Sequence, residues 1–141
     1  MNRRDFLNLT AAVSLATPLL VDRARAAAPE AYKPGMVKTA LAEGKTVLLD
    51  FSATWCTTCA AQRRVLKKLR AENPGYDKAI DFVTVDWDTY RNGALAKSLK
   101  VTDRATLIVL KGDKQIGRLN WETGEAKIKA LLDAGVAAAK A

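Results

Sequence analysis

Cys56 and Cys59 are the only cysteines of the chain; they stand two residues apart in FSATWCTTCAAQ, and no histidine accompanies them. A Cys-x-x-Cys pair can be a structural disulfide, half of a metal site or a redox dithiol. A bridge closing so short a loop restricts the unfolded chain by only about 2 kcal/mol, against roughly 3 kcal/mol for a 15-residue loop, so it is a weak staple. A structural zinc ion wants four nitrogen or sulfur ligands, and two thiols without an imidazole would need a second chain or an external thiol to complete the set. The redox reading accounts for more of the surroundings. Cys56 falls where an apolar run of strand length, TVLLDFSA, gives way to a helical pattern. Unpaired N–H groups and the positive end of a helix dipole favour a thiolate there, and a lowered pKa is what a nucleophilic thiol needs. Cys59, one turn further on, is then the resolving thiol, and the Cys56 sulfur is expected to be exposed at the helix tip.

The elements that would position this pair follow from periodicity. Pro34 to Glu43, closed by Gly44, predicts a short helix, and Thr46 to Ala53 a strand covered on both faces, with Asp50 as its one anomaly. From Cys56 to about Asn73 the spacing of Ala60, Val65, Leu66 and Leu69 is helical, and Asn73-Pro74-Gly75 stops it. Ile80 to Trp87 alternates as a strand does, Arg91 to Leu99 predicts a helix, and Thr106 to Lys111 a strand. Gly112-Asp113-Lys114 turns the chain into a partner strand, Gln115 to Asn120, and Glu122 to about Ala139 is an amphipathic helix. Strands alternating with helices, then a hairpin and a last helix, imply an α/β sandwich with a mixed sheet of about four strands.

The stretch LLDFSATWCTTC resembles the active-site strand, loop and helix start of the thioredoxin superfamily, and the likeness runs from about Met36 to Gly135 because the remaining elements follow in the family's order. The resemblance implies a thioredoxin-like three-layer sandwich and a thiol-disulfide oxidoreductase whose catalytic residues are Cys56, Cys59 and Asp50. The first attacks, the second resolves, and the buried carboxylate exchanges a proton with the resolving thiol. Sequence alone supports part of this, since an acid inside a buried strand has a raised pKa unless it is paired. Trp55 is expected to shield the thiols and offer partners a flat apolar surface. With Thr57, Thr58, Arg104, Ala105 and Thr106 it makes up the expected substrate-binding surface. The resemblance implies no cofactor beyond the redox-active disulfide itself.

Three features depart from the family pattern. Thr57-Thr58 replaces the Gly-Pro of the standard reducing thioredoxins, so the reduction potential is not readable. Aligning TLIVLK with the family's next strand puts Ala105 where a cis-proline is usual; a cis bond before a non-proline residue costs about 2.5 to 4 kcal/mol, so Arg104-Ala105 is expected to be trans. In the family this loop pairs with substrate through its backbone. Loss of the proline ring leaves open that the dithiol holds Cu(I), or shares an iron-sulfur cluster across a dimer. Trp87 and Trp121 are not family signatures. Trp87, between Asp86 and Asp88, either borders the site or is a packing residue. Arg63 and Arg64 belong to a solvated helix face, from which Arg63 could add positive potential near the thiols.

The chain has 141 residues, 49% hydrophobic and 27% charged, the composition of one domain with an ordinary core. Its formal charge of +8 is spread along the sequence among 15 acidic residues, without the continuous stripe that nucleic acid would require. Residues 1–26 read as an export signal, with Arg3-Arg4-Asp5-Phe6-Leu7 fitting the twin-arginine pattern and Ala24-Arg25-Ala26 a cleavage site. Leu7 to Val21 is short for a bilayer span of about 20 residues, so stable membrane insertion after cleavage is not expected. That segment holds four basic and two acidic residues, so its removal leaves +6 for a domain over residues 27–141. The expected setting is the periplasm, and the expected protein is a monomer that reduces protein disulfides with electrons from a membrane thiol-transporting reductase. A disulfide-donating oxidant, the metal carrier and a binding module with an inert disulfide are the alternatives.

Overall fold

The computed structural model describes residues 27–141; the export signal expected over residues 1–26 lies outside the described residues. The elements in chain order are β1 (Glu30–Ala31), α1 (Met36–Ala42), β2 (Thr46–Ser52), α2 (Thr57–Glu72), α3 (Gly75–Ala79) and β3 (Ile80–Asp86). They continue with α4 (Trp87–Tyr90), α5 (Ala94–Ser98), β4 (Thr106–Lys111), β5 (Lys114–Asn120) and α6 (Glu125–Ala139). The sheet has five strands in the order β1-β3-β2-β4-β5, one more than expected. The extra strand, β1, has two exposed residues paired parallel to Val83 and Thr84 of β3, too short to show an alternation. β2 runs parallel to β3 and antiparallel to β4, and β4 turns back into β5.

Two further differences have local causes. Where a helix over Arg91 to Leu99 is expected, the shorter α5 forms over Ala94–Ser98, and α4 adds a turn before it over Trp87–Tyr90. Asp86 caps α4 directly at the end of β3, its carboxylate accepting from the Thr89 N–H at 3.1 Å, and Gly93 begins α5 after a break. The chain that leaves α2 at Asn73 forms α3 before β3 begins. Among the described residues no helix is long and apolar enough to cross a membrane.

Both faces of the sheet are covered, as the run of β2 requires, since all seven of its residues are buried. One face places Val47, Leu49, Phe51, Val83, Val85, Ile108 and Leu110 against Val37 of α1, Trp87 of α4 and Ala96 of α5. The other packs Leu48, Phe82, Leu107 and Val109 against Leu66 and Leu69 of α2, Tyr76 of α3 and Ile128, Leu131 and Leu132 of α6. Gly135 of α6 shows how closely that helix lies on the sheet, because a Cβ there would stand 2.7 Å from Ile80 Cδ1.

Candidate active site

The site lies at the junction of β2 and α2. After Ser52 the chain turns through Ala53, Thr54 and Trp55, with the Cys56 N–H donating to the Ala53 carbonyl at 3.3 Å. Cys56 is the N-cap of α2, and its Sγ accepts from the Cys59 N–H at 3.1 Å, so sulfur occupies the place a serine or aspartate oxygen takes in an ordinary cap. In the reduced protein an N–H so placed and the positive end of the helix dipole would both favour a thiolate. Cys56 and Cys59 are joined as a disulfide with their Cα atoms 5.2 Å apart.

The Cys56 sulfur, expected to be exposed, is nearly buried. Cys56 keeps 4% of its exposure and Cys59 none, and both belong to the buried cluster that includes Ala53, Trp87 and Ala105. Trp87 is thus a buried packing residue in the same core cluster as the two cysteines. Trp55 is 57% exposed, and its indole Nε1 donates to Asp88 Oδ2 at 2.9 Å. Asp86 and Asp88 therefore serve different ends, one capping α4 and the other fixing the tryptophan beside the disulfide. Thr57 is exposed and Thr58 half-buried on the first turn of α2.

Asp50 is buried on the face of β2 that α2 covers, with Oδ1 lacking a partner among the described residues. Burial raises its carboxyl from the usual 3.8 to about 7, while the positive charge of Arg63 acts in the opposite direction. Arg63, expected on a solvated face, instead reaches over β2 and donates from Nη1 to Ser52 Oγ, two residues along the strand from Asp50 and on the same face. Arg64 is exposed.

The loop before β4 completes the site. The Arg104–Ala105 bond is trans, as no cis peptide occurs among the described residues. Ala105 is buried with φ 56°, a left-handed conformation unusual for a residue with a Cβ, and Trp121 opposite has φ 57°. The Ala105 N–H donates to the Phe51 carbonyl at 2.8 Å, and the Ala105 carbonyl accepts from the Trp121 N–H at 2.8 Å. Arg104 stacks across both exposed tryptophans, with its guanidinium 4.4 Å from the Trp55 ring centre and 4.8 Å from that of Trp121. Thr106, expected to meet substrate, is buried within the sheet, and its hydroxyl donates to the Asp103 carbonyl at 2.9 Å.

Gln62 is the residue that sequence reasoning missed. It is fully buried, and Nε2 donates to the carbonyls of Ala105 at 3.1 Å and Glu122 at 2.9 Å, tying the disulfide helix to both loops. A signal for it existed: Cys59, Gln62, Leu66 and Leu69 form the buried stripe of α2, so an amide on that stripe needs a partner. Among the described residues no group of three or more His, Cys, Asp or Glu side chains is placed to hold a metal ion.

A family model described as Thioredoxin matches residues 30–134. The chain belongs to the thioredoxin family. A thioredoxin of Echinococcus granulosus is 34% identical over 98 residues, which cover 70% of this chain and 85% of the relative. A thioredoxin of Mycobacterium tuberculosis is 31% identical over 88 residues, 62% of this chain and 72% of the relative. The crystal structure of Trxlp from Edwardsiella tarda superposes with a TM-score of 0.65 at 28% identity, covering 74% of this chain and 98% of that one. With its Cys-x-x-Cys pair joined at the start of α2, this thioredoxin-family chain is a thiol-disulfide oxidoreductase.

Proposed function

We propose that the chain works in the periplasm as a reductant of protein disulfides. The Cys56 thiolate attacks one sulfur of a substrate disulfide, forming a mixed disulfide and releasing the other substrate sulfur as a thiolate. Cys59 gives its proton to Asp50 and attacks Cys56 Sγ; the Cys56–Cys59 disulfide forms and the second substrate thiolate leaves. Two electrons pass from the dithiol to the substrate, and a membrane thiol-transporting reductase restores them. The observation that carries this reading is Cys56 Sγ at the N-cap of α2, where it accepts the Cys59 N–H. The carboxyl of Asp50, raised to about 7, supports the proton step, because a group that titrates near neutral pH exchanges protons most readily there. The twin-arginine pattern supports export.

Replacing Cys59 with Ser and expressing the chain in its native compartment tests the reading, since partners are expected to accumulate as mixed disulfides on Cys56. The absence of any trapped partner overturns it. The direction of electron flow is tested by equilibration with glutathione. A potential near that of thioredoxin, about −270 mV, supports reduction, and one near about −120 mV makes the protein a disulfide donor.

A further inference from the structure

The main chain around the disulfide is largely occupied. The Ala105 N–H donates to Phe51, and the Ala105 carbonyl accepts from both Trp121 and Gln62. The Arg104 N–H donates to its neighbour's carboxylate, Asp103 Oδ1, at 2.8 Å. Of the four main-chain groups of Arg104 and Ala105, only the Arg104 carbonyl makes no hydrogen bond among the described residues, so little remains for pairing with a substrate backbone.

Side chains are what this surface offers instead. Trp55 and Trp121, 57% and 42% exposed, flank the guanidinium of Arg104. Asp103 takes Nη1 of that group at 3.1 Å, while Nη2 makes no hydrogen bond among the described residues. A guanidinium held by two indoles is already oriented, so accepting a carboxylate costs it little further freedom. Cys56 is only 4% exposed, whereas its neighbour Trp55, which Arg104 stacks on, is 57% exposed. The net positive charge of the chain favours approach of an acidic segment.

We propose that Arg104, clamped between Trp55 and Trp121, selects protein substrates that carry a carboxylate side chain close in sequence to the disulfide cysteine. The carboxylate takes the Nη2 end of the guanidinium, since Nε is buried and Nη1 is held by Asp103, and its methylene stem lies on the indoles. This selection rests on the oxidoreductase reading above.

The test uses peptides with one cysteine in mixed disulfide with thionitrobenzoate and with Glu, Gln or Lys next to that cysteine. The reduced protein is mixed with each, and release of the coloured thiolate is timed. The Glu peptide is expected to react about fivefold faster than the Gln peptide at low salt, the range of a partly exposed charge pair, with the Lys peptide slowest. In about 0.5 M salt, where screening acts over a few ångströms, the preference shrinks. Arg104→Gln brings the Glu and Gln peptides to the same rate, and Arg104→Lys keeps part of the difference. Equal rates for Glu and Gln in the unaltered protein, or a preference that survives Arg104→Gln, overturn the proposal. Should that variant fail to fold, the salt series decides, and a preference that does not shrink overturns it. Failure to react with any peptide overturns the oxidoreductase reading instead.

Discussion

Strand β2 sends Val47, Leu49 and Phe51 to one side of the sheet and Thr46, Leu48, Asp50 and Ser52 to the other, and all seven are buried. On the first side, Thr106 apart, the buried side chains are apolar, and α1, α4 and α5 cover them. On the second side the end of the strand nearest the disulfide carries a carboxyl and a hydroxyl, and α2 meets them with Arg63, while its buried Gln62 binds the Ala105 and Glu122 carbonyls. One face is built for stability. The other gives up some apolar contact to hold groups whose charge or hydrogen bonding acts on the helix that bears the disulfide. Buried polar groups of this kind are costly unless they are matched, and Asp50 stays incompletely matched, which is why its carboxyl titrates near neutrality.

Substitutions on the two faces should therefore differ in kind. Phe51→Ala, on the apolar side, is expected to cost about 4 kcal/mol in urea unfolding, by the same amount at pH 5 and pH 8, since no titrating group is involved. A loss that changed with pH would join the two faces. Asp50→Asn acts in the opposite direction. The folded protein holds a proton on Asp50 that the unfolded chain releases above 3.8, so native stability falls as pH rises from about 4 and levels off above about 7. The variant lacks that fall and is expected to be more stable than the parent at pH 8, on the order of 4 kcal/mol, with the gap closing toward pH 4. Its mixed disulfides should also resolve more slowly if Asp50 takes the proton of Cys59 as proposed. A gap that did not vary with pH would show that Asp50 does not titrate in this range.

Arg63→Gln has the smallest expected effect. Removing its charge raises the Asp50 midpoint above about 7 and shifts the pH profile of mixed-disulfide resolution the same way. The accompanying loss of stability at pH 8 is roughly 1 kcal/mol or less, as for other partly exposed charges. An unmoved profile would restrict Arg63 to its hydrogen bond with Ser52.

Much of the frame was legible because it is local. Thr106 to Lys111 forms a strand over the expected residues, and β2 and α2 begin and end within a residue or so of expectation, since periodicity and stop signals act within one element. β1 was not legible because two exposed residues carry no pattern and are fixed by their partners in β3. The helix expected over Arg91 to Leu99 begins only at Ala94 because Asn92-Gly93 delays it, and α4 before it was not legible because it is a single turn set by the Asp86 cap. The position of the thiols at a helix start was legible; the near burial of Cys56 was not, because it joins a core cluster built from other segments, Trp87 and Ala105 among them.

By itself the sequence determined that two thiols follow a buried strand at the start of a helix and that an acid lies inside that strand. The spacing of apolar and polar residues along a few turns or strand positions is enough to say so. Only the tertiary structure decided that Gln62 holds Ala105 and Glu122, that Arg63 reaches Ser52, and that Arg104 lies between Trp55 and Trp121. These contacts join separate elements of the chain. Their geometry is set by how α2 and the loops flanking β4 and β5 settle on the sheet, and no periodicity within one element encodes that.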